Sequence, residues 1–219
     1  MRDSMHVDII IPTYDRPQLL RQCVSSILKG SYKDISIIVV VDGNLRLAVK
    51  LAGLPTLMVL NKNRIDWVAS QNKVLKMTHE GAVIYASDDL QFSKDCILHA
   101  VNKLKKKAPD TDAMIAIEQD VKGCSTAFGL LGRKFIERFP DSQVFCPDYI
   151  HYGSDSELGR FARHIGRLFM CPEAKVLHNR PKDSTYKLAK PMEPQDFNFI
   201  RQRREKNLLW GRDFERLRK

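Results

Sequence analysis

Nearly continuous apolar runs alternate with stretches in which apolar residues recur every three or four positions, a pattern that predicts strands and helices in turn. Residues 7–11 and 35–41 are almost wholly apolar, as expected of strands covered on both faces in a parallel sheet. Between them Leu19, Leu20, Cys23, Val24, Ile27 and Leu28 share one helical face up to Gly30, with Pro17 in the first turn and Asp15 placed to cap it. A short helix over about 45–52, a strand over 56–60, a helix over 66–77 and an apolar strand from residue 82 follow. The second half predicts a helix over 94–107 and a strand over 114–118. A flexible small-residue segment over 123–132 then leads into a helix over 133–139, followed by a helix over 156–164 and a strand over 168–178. Pro181, Pro191 and Pro194 make 179–195 an irregular arm or lid. Phe197, Ile200, Leu208, Leu209, Trp210, Phe214 and Leu217, set among Arg and Lys, predict one or two basic amphipathic helices packed on the main body.

The chain has 219 residues, enough for one sizeable core. Residues 1–8 lack the apolar centre of a signal peptide, and no run approaches the roughly 18 apolar residues of a membrane span, so a cytoplasmic protein is expected. Cys23, Cys96, Cys124, Cys146 and Cys171 are scattered without a CxxC pair, which predicts free thiols rather than disulfides or zinc. Charge is uneven along the chain. Residues 1–159 hold 20 Lys/Arg against 19 Asp/Glu, whereas 160–219 hold 16 against 7. That +9 calls for a polyanion, an anionic membrane surface or an anionic substrate as partner, or serves solubility alone.

Two strand ends carry the candidate chemistry. The run from residue 82 ends in Asp88-Asp89, where an open α/β sheet binds its ligand. Paired hard oxygens there suit Mg²⁺ or Mn²⁺ holding a phosphate; the plainer reading is a turn that caps the next element. The second strand ends in Asp42-Gly43-Asn44, where a carboxylate can accept hydrogen bonds from a base or ribose. There is no GxGxxG after the first strand and no GxxxxGK[ST], which disfavours a dinucleotide-binding Rossmann domain and a P-loop NTPase.

The order of these motifs resembles the GT-A glycosyltransferases, and family 2 in particular. The resemblance rests on Ile9-Ile10-Ile11-Pro12-Thr13-Tyr14-Asp15-Arg16-Pro17, on Asp42-Gly43-Asn44, on Ala69-Ser70-Gln71-Asn72 and on Ala86-Ser87-Asp88-Asp89. The last stands where many members have Asp-x-Asp-Asp, so Ala86 replaces one donor contact. Further on, Gly153-Ser154-Asp155-Ser156-Glu157-Leu158 is similar to the family's Glu-Asp-x-Asp/Glu-Leu stretch, with Ser154 where Glu is frequent. Taken on its own, that stretch reads equally as a helix cap made by Ser154 and Asp155.

The resemblance implies an α/β fold: a Rossmann-like, single GT-A domain with a mostly parallel central sheet over 5–180 (donor half 5–92, acceptor half 93–180), and a basic helical extension over 181–219. It implies a nucleotide-sugar donor, UDP first, held by Pro12, Thr13, Tyr14, Asp42, Asn44, Arg64, Asn72, Ser87, Asp88 and Asp89. Mn²⁺ or Mg²⁺ would sit on Asp88 and Asp89 with the late His178 as a third ligand. Asp155 would be the base of an inverting transfer, with Arg64 or Arg180 neutralising the departing phosphates. For the acceptor, the basic end of the chain fits DNA carrying a hydroxymethylated base, as in viral DNA modification; a bacterial glycan or a lipid-linked acceptor explains the charge nearly as well. A nucleotidyltransferase would open on a Gly-rich basic loop, which is missing after the first strand. A non-catalytic nucleic-acid-binding protein would leave Asp42, Asp88 and Asp155 without a role.

Overall fold

A computed structural model describes residues 4–120 and 123–215; Leu217 of the expected amphipathic pattern lies outside them. The first half alternates strand and helix: β1 (Val7–Thr13), α1 (Pro17–Leu28), β2 (Ile35–Asp42), α2 (Leu45–Lys50), β3 (Leu57–Asn61), α3 (Asp66–Leu75) and β4 (Ala82–Tyr85). The second half runs β5 (Leu90–Phe92), α4 (Cys96–Lys107), β6 (Met114–Gln119), β7 (Gly129–Gly132), α5 (Arg133–Ile136), α6 (Ser154–His164), β8 (Leu168–His178), α7 (Ser184–Ala189), α8 (Glu193–Glu205) and α9 (Trp210–Glu215).

One sheet holds these strands in the order β3-β2-β1-β4-β7-β6-β8-β5. Side chains of β1 alternate between its faces: Val7, Ile9 and Ile11 join α1 and α4 in one apolar layer, and Ile10 joins α3, α5 and α6 in the other. Burial on both faces is why the sequence of this strand shows no polar alternation. The expectation of a mostly parallel sheet needs correction. Among the described residues β1 pairs parallel with β2 and β4, β2 with β3, and β6 with β8, whereas β4–β7, β6–β7 and β5–β8 are antiparallel. The sheet is mixed because β7, between β4 and β6, and β5, at the edge beyond β8, run against the other strands. β7 was hidden in the segment expected to be flexible. Its small residues serve close packing, since a Cβ on Gly132 would lie 1.9 Å from the Thr111 carbonyl oxygen. At β8 the pairing with β6 skips from Cys171 to Lys175 around Pro172, which has no N–H to offer a ladder.

The C-terminal segment is more ordered than an irregular arm. Asp183 caps α7 by accepting the Tyr186 N–H at 2.9 Å, and α8 follows almost at once. Of the expected apolar pattern, Ile200, Leu209, Trp210 and Phe214 pack on the layer beneath α6, as does Phe199, while the fully buried residues of α8 itself are Asp196 and Arg203. Asp196 accepts the backbone N–H groups of Ile150, His151 and Tyr152 at 2.8–3.0 Å. Arg203 grips Glu157 of α6, with Nη2 2.7 Å from Oε1 and Nε 2.8 Å from Oε2; Tyr149 Oη and the Trp210 N–H also donate to that carboxylate. Breaking a buried pair leaves an uncompensated charge. Arg203→Ala is therefore expected to cost about 3–5 kcal/mol in urea unfolding, and Arg203→Met with Glu157→Leu regains only part of it, because the Tyr149 hydroxyl and the Trp210 N–H then lose their acceptor. A loss below about 1 kcal/mol would show that water reaches the pair. Among the described residues no helix is long and apolar enough to cross a membrane.

Candidate active site

The turn between β4 and β5 carries Ser87, Asp88 and Asp89 to the C-terminal end of the parallel strands, beside the loop that follows β1. There they line a cleft of about 1090 Å³ together with Pro12, Thr13, Tyr14, Asp42, Arg64, Asp155 and His178. Residues predicted from separate parts of the chain thus meet on one concave surface.

Asp88 and Asp89 are both buried. Thr13 Oγ1 donates to Asp88 Oδ2 at 2.7 Å, and one guanidinium nitrogen of Arg16 lies 3.1 Å from Asp88 Oδ1 and 3.2 Å from Asp89 Oδ2. Burial raises the Asp88 carboxyl to about 6 against the pull of Arg16, and the neighbouring Asp89 adds to the rise. Asp89 sits below the ordinary carboxylate range, because His178 and Arg16 outweigh its burial. His178 Nε2 is 3.4 Å from Asp89 Oδ1, and that oxygen is a buried atom without a hydrogen-bond partner. A hard divalent cation takes one or two carboxylates and completes its shell from phosphate and water. A desolvated oxygen faced by the His178 imidazole, beside a second carboxylate, fits that demand. Three His, Cys, Asp or Glu residues are nowhere gathered around one point among the described residues, so the ligand set would be short of protein groups.

Arg16 was not singled out from the sequence. Its fork is bidentate to Asp183 at 2.9 and 3.0 Å, which ties the loop after β1 to the start of α7. Neither does Asp15 cap α1, for Arg16 occupies the cap position and makes no side-chain cap bond.

At the end of β2, Asp42 is buried and heavily committed. Oδ1 accepts from Asn61 Nδ2 at 3.0 Å and from the Ile65 N–H at 2.9 Å, while Oδ2 accepts the Asp66 N–H at 2.8 Å. It holds the start of α3 while still lining the cleft. Arg64 stacks over Tyr14, 5.5 Å from the ring centroid, and pairs with Asp66. Two expected contacts lie elsewhere. Asn44 donates to the Tyr14 carbonyl at 2.9 Å and is not among the cleft residues. Asn72 exchanges hydrogen bonds with the backbone of Phe145 at 2.7 and 3.0 Å, so its amide is spent on holding α3 to the segment before α6.

Asp155 occupies the first turn of α6 and faces the cleft. Gly153, at φ +85°, sits in the cap position, so Ser154 and Asp155 do not serve as the cap. Asp155 Oδ1 accepts the Ser156 N–H at 2.7 Å. Burial lifts this carboxyl above its usual range, opposed by the Ser156 N–H and the Cys124 thiol. His151, also missed from the sequence, faces the same cleft with a buried, unpartnered Nδ1; burial and then Arg64 push it down to about 4, which leaves a neutral imidazole. All five cysteines are free thiols, as expected.

No curated protein matches the sequence. Among solved structures, the fold is similar to that of a mannosyltransferase from Pyrobaculum calidifontis in complex with GDP-Man and Mn²⁺: TM-score 0.68 at 18% identity, over 88% of this chain and 62% of that one. It is also similar to residues 1–349 of S. aureus TarS, with TM-score 0.63 at 14% identity over 86% and 64%. The chain thus spans less than two thirds of either neighbour, and the likeness is one of fold. The model of glycosyl transferase family 2 matches residues 8–164, which include β1, the Asp88-Asp89 turn and Asp155. With that match over most of its length, and with the sheet and cleft that accompany it, the chain belongs to glycosyl transferase family 2.

Proposed function

We propose that this protein transfers a sugar from a nucleotide-sugar donor to a hydroxyl of a polyanionic acceptor, with inversion. The observation that carries the reading is the meeting of Asp88, Asp89 and Asp155 in one cleft. A base beside a leaving-group site is what a direct displacement requires.

Asp88 and Asp89 would hold Mn²⁺ or Mg²⁺, which supplies Lewis-acid stabilisation of a departing diphosphate. Thr13, Tyr14, Asp42 and Arg64 form the nucleotide end. Asp155 takes the proton from the acceptor hydroxyl as that oxygen bonds to the anomeric carbon and the bond to the diphosphate oxygen breaks. Arg64 and Arg180 lie along the same cleft as cations for the released charge. DNA bearing a hydroxymethylated base is the acceptor we favour, on the strength of the +9 over residues 160–219.

Nucleotide release from UDP-, GDP- and CMP-sugars with Mn²⁺, with and without hydroxymethylated DNA, tests both parts. UDP is expected from the family resemblance, and the GDP-Man bound by one structural neighbour makes GDP the first competitor. Release that depends on the DNA supports donor and acceptor together. Release indifferent to DNA rejects the acceptor, and release from no donor rejects the reading as a whole.

A further inference from the structure

The cleft, about 1090 Å³, runs from the Asp88-Asp89 turn out to residues 180–205. Its outer wall is built by the segment after β8. α8 lies directly across the loop before α6, with Ile200 so close to Gly153 that a Cβ there would come within 2.1 Å of its Cδ1. Phe197, half exposed, is set 6.1 Å from the Tyr152 ring, and both line the cleft. The same cleft is lined by Arg180, Lys182, Arg201 and Arg204, all exposed.

None of these four cations has a carboxylate partner among the described residues. Arg180 donates to His178 Nδ1 and Gln119 Oε1, and Arg201 to Asn198 Oδ1. Of the acidic residues on this wall, Glu193 is taken up by Lys190, which leaves Glu205 as the opposing charge. By contrast, Arg16 and Arg64 deeper in the cleft are each paired with carboxylates. Aromatic faces interleaved with unpaired guanidinium groups are the surface that holds a nucleic-acid strand, bases stacking on the rings and phosphates meeting the cations.

We propose that the outer half of the cleft is an acceptor subsite for a single nucleic-acid strand. One nucleotide is laid against Phe197 and Tyr152, and the flanking phosphates are held by Arg180, Lys182, Arg201 and Arg204. The inference rests on the glycosyl-transfer reading, since it delivers the acceptor hydroxyl to Asp155. It also implies that a duplex acceptor enters with its target base out of the stack.

Fluorescence anisotropy with a labelled oligothymidylate of about ten nucleotides, between about 50 and 200 mM salt, tests it. Arg201→Ala with Arg204→Ala should weaken binding about tenfold or more. It should also flatten the salt slope by about 1.4, because each lost contact to a single strand removes roughly 0.7. Phe197→Ala should weaken binding about fivefold or more and leave the slope alone. These residues are exposed, so unchanged melting curves are expected to show that the variants fold. Undiminished binding in the arginine variant, equal affinity for an abasic strand, or tighter capture of poly(glycerol phosphate) would each overturn the assignment. UDP and GDP binding measured on the same samples separates the two failures: nucleotide bound without oligonucleotide removes this subsite alone, and oligonucleotide bound without nucleotide removes the transferase reading.

Discussion

Asp155→Asn is expected to slow sugar transfer by roughly 10²–10⁴-fold, the usual contribution of a positioned general base, while nucleotide-sugar affinity stays unchanged. The substitution is nearly isosteric. An Asn oxygen can still accept the Ser156 N–H that now reaches Asp155 Oδ1 at 2.7 Å, so the first turn of α6 keeps its shape and only basicity is lost. A pH profile sharpens the test. Burial raises the Asp155 carboxyl, and the base works only when ionised, so kcat/KM falls as pH drops through a value above the ordinary carboxylate range. The residual activity of the Asn variant lacks that limb. Transfer at the normal rate in Asp155→Asn would remove it from the mechanism.

Asp88→Asn is the second large effect, and it strikes the other end of the reaction. In the proposed mechanism, losing the several kcal/mol that a cation on Asp88 and Asp89 would contribute to a departing diphosphate corresponds to a fall of about 10² or more in turnover. The fold should survive the change. Arg16 keeps Asp89 and the bidentate Asp183, and an amide at position 88 can still accept from Thr13. Calorimetric titration of Mn²⁺ with UDP or GDP present gives a readout independent of turnover: binding is lost in the variant and kept in Asp155→Asn. Equal Mn²⁺ affinity in wild type and Asp88→Asn would move the cation to other residues.

Much of this was legible in the sequence, for a physical reason. Strands covered on both faces need apolar residues at every position, so β1 and β2 announced themselves and placed Thr13 and Asp42 at their ends. The Asp88-Asp89 turn followed from the same logic. β7 escaped because the close approach of Thr111 demands glycine, and glycine reads locally as a loop. Asn72 misled for the opposite reason. Its motif was visible, but a reciprocal pair of bonds to Phe145, 73 residues away, is set by tertiary packing. Arg16 and His151 belong to loops that pattern does not describe, and the carboxylates that hold them, Asp183 on the Arg16 fork and Asp196 on the His151 N–H, come from beyond residue 180. Nor does a helix whose buried positions are Asp196 and Arg203 produce an apolar period for a sequence to show.

The three amides captured by Asp196 set a limit on how this molecule can be divided. The family match ends at residue 164, yet the loop that leads into the Asp155 helix takes its shape from a carboxylate more than thirty positions beyond that limit. Recombining the matched segment with a foreign C-terminal half would carry the motifs across and leave behind the residue that holds them in register. A chimera of this family would therefore have to inherit α8 along with the Asp155 helix, as a single unit of exchange.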